Sequence, residues 1–142
     1  MQKLNKLTRG IVLLSLLAFV GVVGCSDSPS GPDLVTLTIG ADTPTVDLTA
    51  GMDSYDTQCQ VCHGAMGEGN PAPALDAFTP TSQIRIAGVF DTLTFSRLEE
   101  KIELEMPPSS PASCVGACAN DVAGYIYCEW NPTLVTSGCP TP

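Results

Sequence analysis

Basic residues are scarce: six Lys and Arg stand against fifteen Asp and Glu, the formal charge is −9, and three of the six (Lys3, Lys6, Arg9) fall within the first nine positions. Gripping a phosphate backbone takes clustered Lys and Arg, so nucleic acid is excluded as a partner. Histidine occurs once, at position 63, so any chemistry that needs an imidazole must draw on that residue. The one long apolar stretch, Ile11 to Val23, is interrupted by Ser15 and Gly21 and falls short of the about 20 residues that a membrane-crossing helix needs. No basic stop-transfer cluster follows it. With 142 residues there is room for one domain and no second catalytic lobe. No internal repeat is visible.

The basic start followed by that apolar stretch fits the first two regions of a secretory signal. The stretch closes on Val22-Val23-Gly24-Cys25, which resembles a bacterial lipoprotein lipobox, and Ser26, Pro29 and Pro32 follow where such a protein carries its tether. The resemblance implies a signal peptide over 1–24, cleaved before Cys25, and lipidation of Cys25 itself. A lipid anchor holds a protein on a membrane without spanning it, because each buried CH₂ contributes about 0.8 kcal/mol. The chain left after cleavage has 118 residues and a formal charge of −12. The expected location is periplasmic or cell-surface, on a bacterial membrane.

Residues 25–48 read as a flexible tether rich in Ser, Pro, Gly, Asp and Thr, with one alternating patch, Leu34 to Ile39, that suits a short strand. A domain is expected over 49–131. Its first helix starts near Thr49, a candidate N-cap, and runs through Tyr55 toward Cys59 until Gly64, Gly67 and Gly69 break it. A turn-rich loop carries Pro71 and Pro73. From Asp91 to Glu105, Leu93, Phe95, Leu98, Ile102 and Leu104 recur at helical spacing among charged residues, and Met106-Pro107-Pro108 stops that helix. A last helix spans about Asn120 to Trp130, with Val122, Tyr125 and Ile126 facing inward, and Asn131-Pro132 ends it. Residues 132–142 form a tail.

Seven cysteines suit an exported chain, and three positions stand apart from the rest: Cys59-Gln60-Val61-Cys62-His63 is C-x-x-C-H, the c-type haem attachment sequence. On one helical turn the two thiols reach the two vinyl groups of one porphyrin, and the adjacent imidazole is directed at the iron. A thioredoxin-like dithiol would want a βαβ surround and no following histidine. A zinc site would need three more cysteines beside His63, and the others lack a paired C-x-x-C spacing.

With these residues, the chain from about Gly51 to Trp130 resembles a class I, monohaem cytochrome c. Gly51 and Tyr55, eight and four residues before Cys59, resemble that family's first helix, and Asp121 to Ile126 resembles its last. The stretch ending in Met106-Pro107-Pro108 resembles its distal ligand loop. The resemblance implies an all-α cytochrome c fold, three to four short helices around one covalently bound haem c. Without a second histidine, the iron's sixth position falls to Met, Lys, a terminal group, water or nothing. Met106 lies 44 residues past Cys62, far enough to reach the other face, whereas Met66 is three residues from His63 and Met52 is on the incoming helix. Cys59, Cys62, His63 and Met106 are thus the expected cofactor residues, with His63 and Met106 on the metal. In the family a proline carbonyl orients the proximal imidazole; Pro71 and Pro73 both fit. Arg85 could pair with a propionate or stand exposed as a structural residue.

Cys114, Cys118, Cys128 and Cys139 remain, enough for two disulfides in three connectivities. The pairing Cys114–Cys118 with Cys128–Cys139 closes the shortest segments and pins the tail. A domain this small has a marginal core without a staple or cofactor. The resulting expectation is an electron carrier, not an enzyme, that exchanges single electrons with redox protein partners and touches the membrane only through its anchor. Two alternatives are a haem peroxidase or small-ligand sensor with a labile Met106, and a cytochrome subunit docked on a dehydrogenase or oxidase.

Overall fold

A computed structural model describes residues 34–141; the signal peptide and Cys25 expected from the sequence lie outside them. In chain order they form β1 (Leu34–Thr36), β2 (Thr45–Asp47), α1 (Leu48–Gln58), α2 (Gln60–His63), β3 (Gln83–Ile86), β4 (Val89–Thr92), α3 (Phe95–Glu105) and α4 (Ala117–Trp130), then a single 3-10 turn, Pro132–Leu134. Among the described residues no helix is long and apolar enough to cross a membrane.

The expectation of an all-α fold is corrected by two antiparallel hairpins, β1-β2 and β3-β4, which make the domain mixed α/β. In the first, Val35 pairs with Val46, and Leu37, Ile39 and Val46 are buried, so residues read as tether supply part of the core. The partner strand is three residues long, too short to display a period in the sequence. In the second, Ile84 pairs with Asp91 and Ile86 with Val89 around the two-residue turn Ala87-Gly88, both at positive φ, as tight hairpins of this hand require. Gln83-Ile84-Arg85-Ile86 alternates polar and apolar, a strand pattern that was not among the expected elements.

The hairpins also move two helix starts. Asp47, the end of β2, caps α1: its Oδ1 accepts from Ala50 N–H at 3.0 Å, so the helix begins before Thr49. Asp91 and Thr92 belong to β4, and Thr94 caps α3 by accepting from Arg97 N–H. Phe95, Leu98 and Ile102 form the buried face of α3, while Leu104 points out with 56% exposure. The last helix also starts earlier than expected, at Ala117 rather than Asn120, and ends at Trp130 with Asn131 as its cap.

The core forms where α1 and α4 cross. A Cβ on Gly51 would lie 2.2 Å from the carbonyl oxygen of Asp121, so only glycine lets the two backbones approach. The Asp47 N–H donates to Asp121 Oδ1 at 2.8 Å and ties the β2–α1 junction to the same turn of α4. Tyr55 is fully buried one turn on, its ring 4.8 Å from that of Trp130 and 5.8 Å from that of Tyr125, and its hydroxyl donates to Gly64 O. On the other side of α4, Phe95 of α3 meets Tyr127 at 6.0 Å. Two disulfides, Cys114–Cys118 and Cys128–Cys139, brace the two ends of α4.

Asn131, 3% exposed, joins α4 to the loop that precedes β3. Its amide donates to Leu75 O at 2.7 Å and Ile126 O at 3.1 Å, and its Oδ1 accepts from Phe78 N–H at 2.8 Å.

Two stability predictions follow from these contacts. In an isolated helix Gly→Ala is favourable by roughly 0.8–1.0 kcal/mol; at Gly51 the clash with a backbone carbonyl reverses the sign, and Gly51→Ala is expected to lose about 1–3 kcal/mol in urea unfolding. Asn131→Leu keeps the volume but strands a buried N–H and two carbonyls, and is expected to lose about 3 kcal/mol in the same assay. A variant as stable as the parent would refute the corresponding contact.

Candidate cofactor site

The short helix α2 projects Cys62 and His63, and Cys59 sits at its N-cap, where the chain bends between α1 and α2. All three line a cavity of about 690 Å³. The opposite walls come from Ile84 and Arg85 of β3, Leu98 and Ile102 of α3, and Val122 and Ile126 of α4, and Met106 lies just past the end of α3 on the same cavity. The lining is mostly apolar, with thiols, an imidazole and a thioether as its donors, a set suited to a large flat apolar group that also carries a metal.

His63 is held by the loop that follows it. Gly69 N–H donates to His63 O at 2.7 Å and Ala72 N–H to Cys62 O at 3.0 Å, folding the loop back over α2. Gly69 is required there: its φ is +79°, and a Cβ would meet Ala74 N at 2.7 Å. This return brings the carbonyl oxygen of Pro73 to 2.8 Å from His63 Nδ1. A carbonyl only accepts, so Nδ1 carries the proton and Nε2 keeps its lone pair for a metal. Of the two prolines that spacing left open, Pro73 makes the contact.

Cys59 and Cys62 are the free thiols among the described residues. Burial, and secondarily the neighbouring Cys62, pushes the Cys59 thiol up to about 11. A redox dithiol depends on the opposite shift, toward thiolate, so the pair does not suit disulfide exchange. The other four described cysteines are bonded to each other, which leaves none to complete a zinc shell around His63, and no cluster of His, Cys, Asp and Glu able to hold a metal ion occurs among the described residues.

Met106 caps α3, its N–H donating to Ile102 O at 3.2 Å. Met52 and Met66 are 40% and 70% exposed and do not line the cavity. Arg85 does reach the lining, but its guanidinium also stacks 5.6 Å from the Phe90 ring centroid. Sequence reasoning missed Lys101, which lines the cavity and whose Nζ donates to Arg85 O at 2.6 Å and to the Glu105 carboxylate. Its place in the i,i+4 pair with Glu105 was visible, but its approach to β3 depended on a hairpin the sequence reading did not include. Asn131 was read only as a helix stop.

Residues 46–126 match the family described as cytochrome c oxidase, cbb3-type, subunit III. Among solved structures, the chain is similar to the X183 domain from Cellvibrio japonicus Cbp2D, at 30% identity over 59% of this chain and 92% of that one, with a TM-score of 0.43. No curated protein matches. The family match spans more than half of the chain and contains the thiols, the histidine and Met106: the chain belongs to this family of c-type cytochrome domains, whose role is haem-binding electron transfer and whose cofactor is haem c.

Proposed function

We propose that the protein is an exported, lipid-anchored electron carrier in which Cys59 and Cys62 would hold one haem through thioethers and His63 and Met106 would ligate its iron. The observation that carries this is the Nδ1 to Pro73 hydrogen bond, which leaves Nε2 bare on the cavity that also receives both thiols and Met106. When bound, the haem supplies a one-electron Fe(III)/Fe(II) couple. His63 is fixed in tautomer and orientation by Pro73, which limits the rearrangement that accompanies a change of charge at the metal. Leu98, Ile102, Val122 and Ile126 exclude water and keep the interior apolar, an environment that favours the less charged state. Met106 would offer a thioether sulfur that favours the reduced metal in the same direction and would leave no position for a substrate. The Ser/Pro tract after Cys25 supports the anchor, and the two disulfides support an oxidising compartment. A second reading, a cytochrome subunit docked on an oxidase, is favoured by the family match; co-purification with membrane proteins after mild detergent extraction separates it from a free shuttle.

The test is an absorption spectrum of protein matured in a haem-attaching host. The oxidised form is expected to show the weak near-infrared band of Met–Fe(III) ligation, and the reduced form to resist CO. Met106→Ala is expected to abolish the band and admit CO. Haem bound without the band, with ready CO binding in the parent, would replace the carrier reading by a peroxidase or sensor.

A second prediction concerns folding. Without a group to fill it, the mostly apolar cavity leaves the side chains that line it without packing partners on one side, a loss that a domain with only about 5–15 kcal/mol of stability can hardly absorb. Cys59→Ser/Cys62→Ser protein made without haem is therefore expected to melt without cooperativity, as followed by circular dichroism; a sharp transition with native helical content would refute this.

A further inference from the structure

Met106 stands at the start of a segment with little to hold it. Between Met106 and Cys114 lie seven residues, Pro107 to Ser113, three of them proline. Their backbone hydrogen bonds are internal: Ser110 N–H to Pro107 O and Ser113 N–H to Ser110 O. The segment makes no backbone hydrogen bond to another element among the described residues; Pro107 and Pro108 line the cavity beside Met106, and the far end is where the segment is tied down. One end is the last turn of α3. The other is Cys114, 2% exposed in the core and bonded to Cys118 in the first turn of α4.

Three further contacts converge on that second end. Ser113 Oγ donates to Gln58 Oε1 at 3.1 Å, and Gln58 Nε2 approaches Cys118 Sγ at 3.9 Å. Gly116 N–H donates to Glu103 Oε1 at 2.7 Å. Gln58 is the residue before Cys59, and Glu103 lies three before Met106. The disulfide therefore sits between the thiol-bearing side of the cavity and the methionine-bearing side, and anchors the segment that joins them.

We propose that the Cys114–Cys118 disulfide is a positioning element for Met106: by fixing the far end of the proline-rich segment to α4, it holds the thioether on the cavity and slows its withdrawal. The proposal rests on the reading of Met106 as an axial ligand. The bond closes a loop of sequence separation 4 against 11 for Cys128–Cys139, so by loop closure its contribution to overall stability is the smaller of the two. An effect on ligation larger than that of the Cys128–Cys139 bond would therefore not be a stability effect.

The test uses mature, haem-loaded full chain and imidazole as the competing ligand. In Cys114→Ala/Cys118→Ala, imidazole binding to the oxidised protein is expected to accelerate at least tenfold, and the near-infrared band to vanish at a lower pH. In Cys128→Ala/Cys139→Ala the rate should stay within twofold of the parent and the band should vanish at the parent's pH. Equal behaviour of the two double variants, or an unchanged Cys114→Ala/Cys118→Ala protein, would overturn the positioning role while leaving Met106 as ligand. A parent protein without the band would overturn both readings. Should the Cys114→Ala/Cys118→Ala chain fail to mature, the same measurement is made on mature Cys128→Ala/Cys139→Ala protein after phosphine reduction and alkylation, with the same tenfold expectation and the same refutation.

Discussion

The backbone contact between α1 and α4 at Gly51 is the constraint on which the remaining geometry depends. With the helices this close, the turn of α4 that carries Asp121 and Tyr125 meets α1, and Gly124 takes the Val46 side chain of β2 against its bare Cα. Val122 and Ile126 are then left to face the cavity. One helix thus uses three of its faces, for a neighbour helix, a hairpin and the cofactor space. The crossing also fixes where α1 ends, and so where Cys59, Cys62 and His63 are delivered. A change at Gly51 would be felt at the thiols although it touches none of them.

The second half of the site is assembled from loops, and its accuracy comes from hydrogen bonds rather than from packed volume. Backbone amides of Gly69 and Ala72 return the chain onto α2, Leu75 N–H donates to Gly67 O at 2.6 Å, and Asn131 takes over where those bonds end, pairing with Leu75 and Phe78. Pro73 cannot donate from its own nitrogen, yet its carbonyl is the acceptor that selects the His63 tautomer. The ordering of an imidazole here is a property of the loop from Gly64 to Pro73, whose path is fixed by backbone hydrogen bonds from Gly67, Gly69, Asn70 and Ala72. Buried polar groups such as Asn131 specify a single arrangement only when all their bonds are made, and this one makes three.

The chemistry of the site was more legible in the sequence than the architecture around it. Cys59-x-x-Cys62-His63 carries its meaning locally, because adjacent residues on one turn do the work, and the structure brings Met106 onto the same cavity from 43 residues beyond His63. Gly51 and Tyr55 were legible for the same reason: each answers to a steric demand made at its own position. The hairpins were legible only in part: β1 falls within the alternating patch Leu34 to Ile39 that suited a short strand, but its partner β2 is three residues long, and the pair takes its place from α4 and from the bridge between Thr38 and Ser137, contacts separated by many tens of residues. The choice between Pro71 and Pro73 depends on a loop path that spacing alone does not encode. Helix starts were misread where another residue was the better cap: Asp47, two residues before the expected Thr49, and Thr94, three residues after the expected start at Asp91.

Charge is distributed as unevenly as the elements. The three cations of the described residues, Arg85, Arg97 and Lys101, all lie on β3 and α3. Arg97 is shared by Asp91 and Glu100, and Lys101 is paired with Glu105, whose carboxyl is held below its usual range by the Ala87 N–H and then by Lys101. These are surface pairs, and such pairs contribute little to stability. Their effect is on the field: with two cations matched, Arg85 is the one without an acidic partner among the described residues, and it stands on the cavity lining beside the exposed Phe90. The remainder of the surface is dominated by carboxylates. A partner approaching that surface would meet a negative field interrupted by one cation and one aromatic ring at the edge of the cofactor space, a pattern that orients an encounter more than it strengthens the complex.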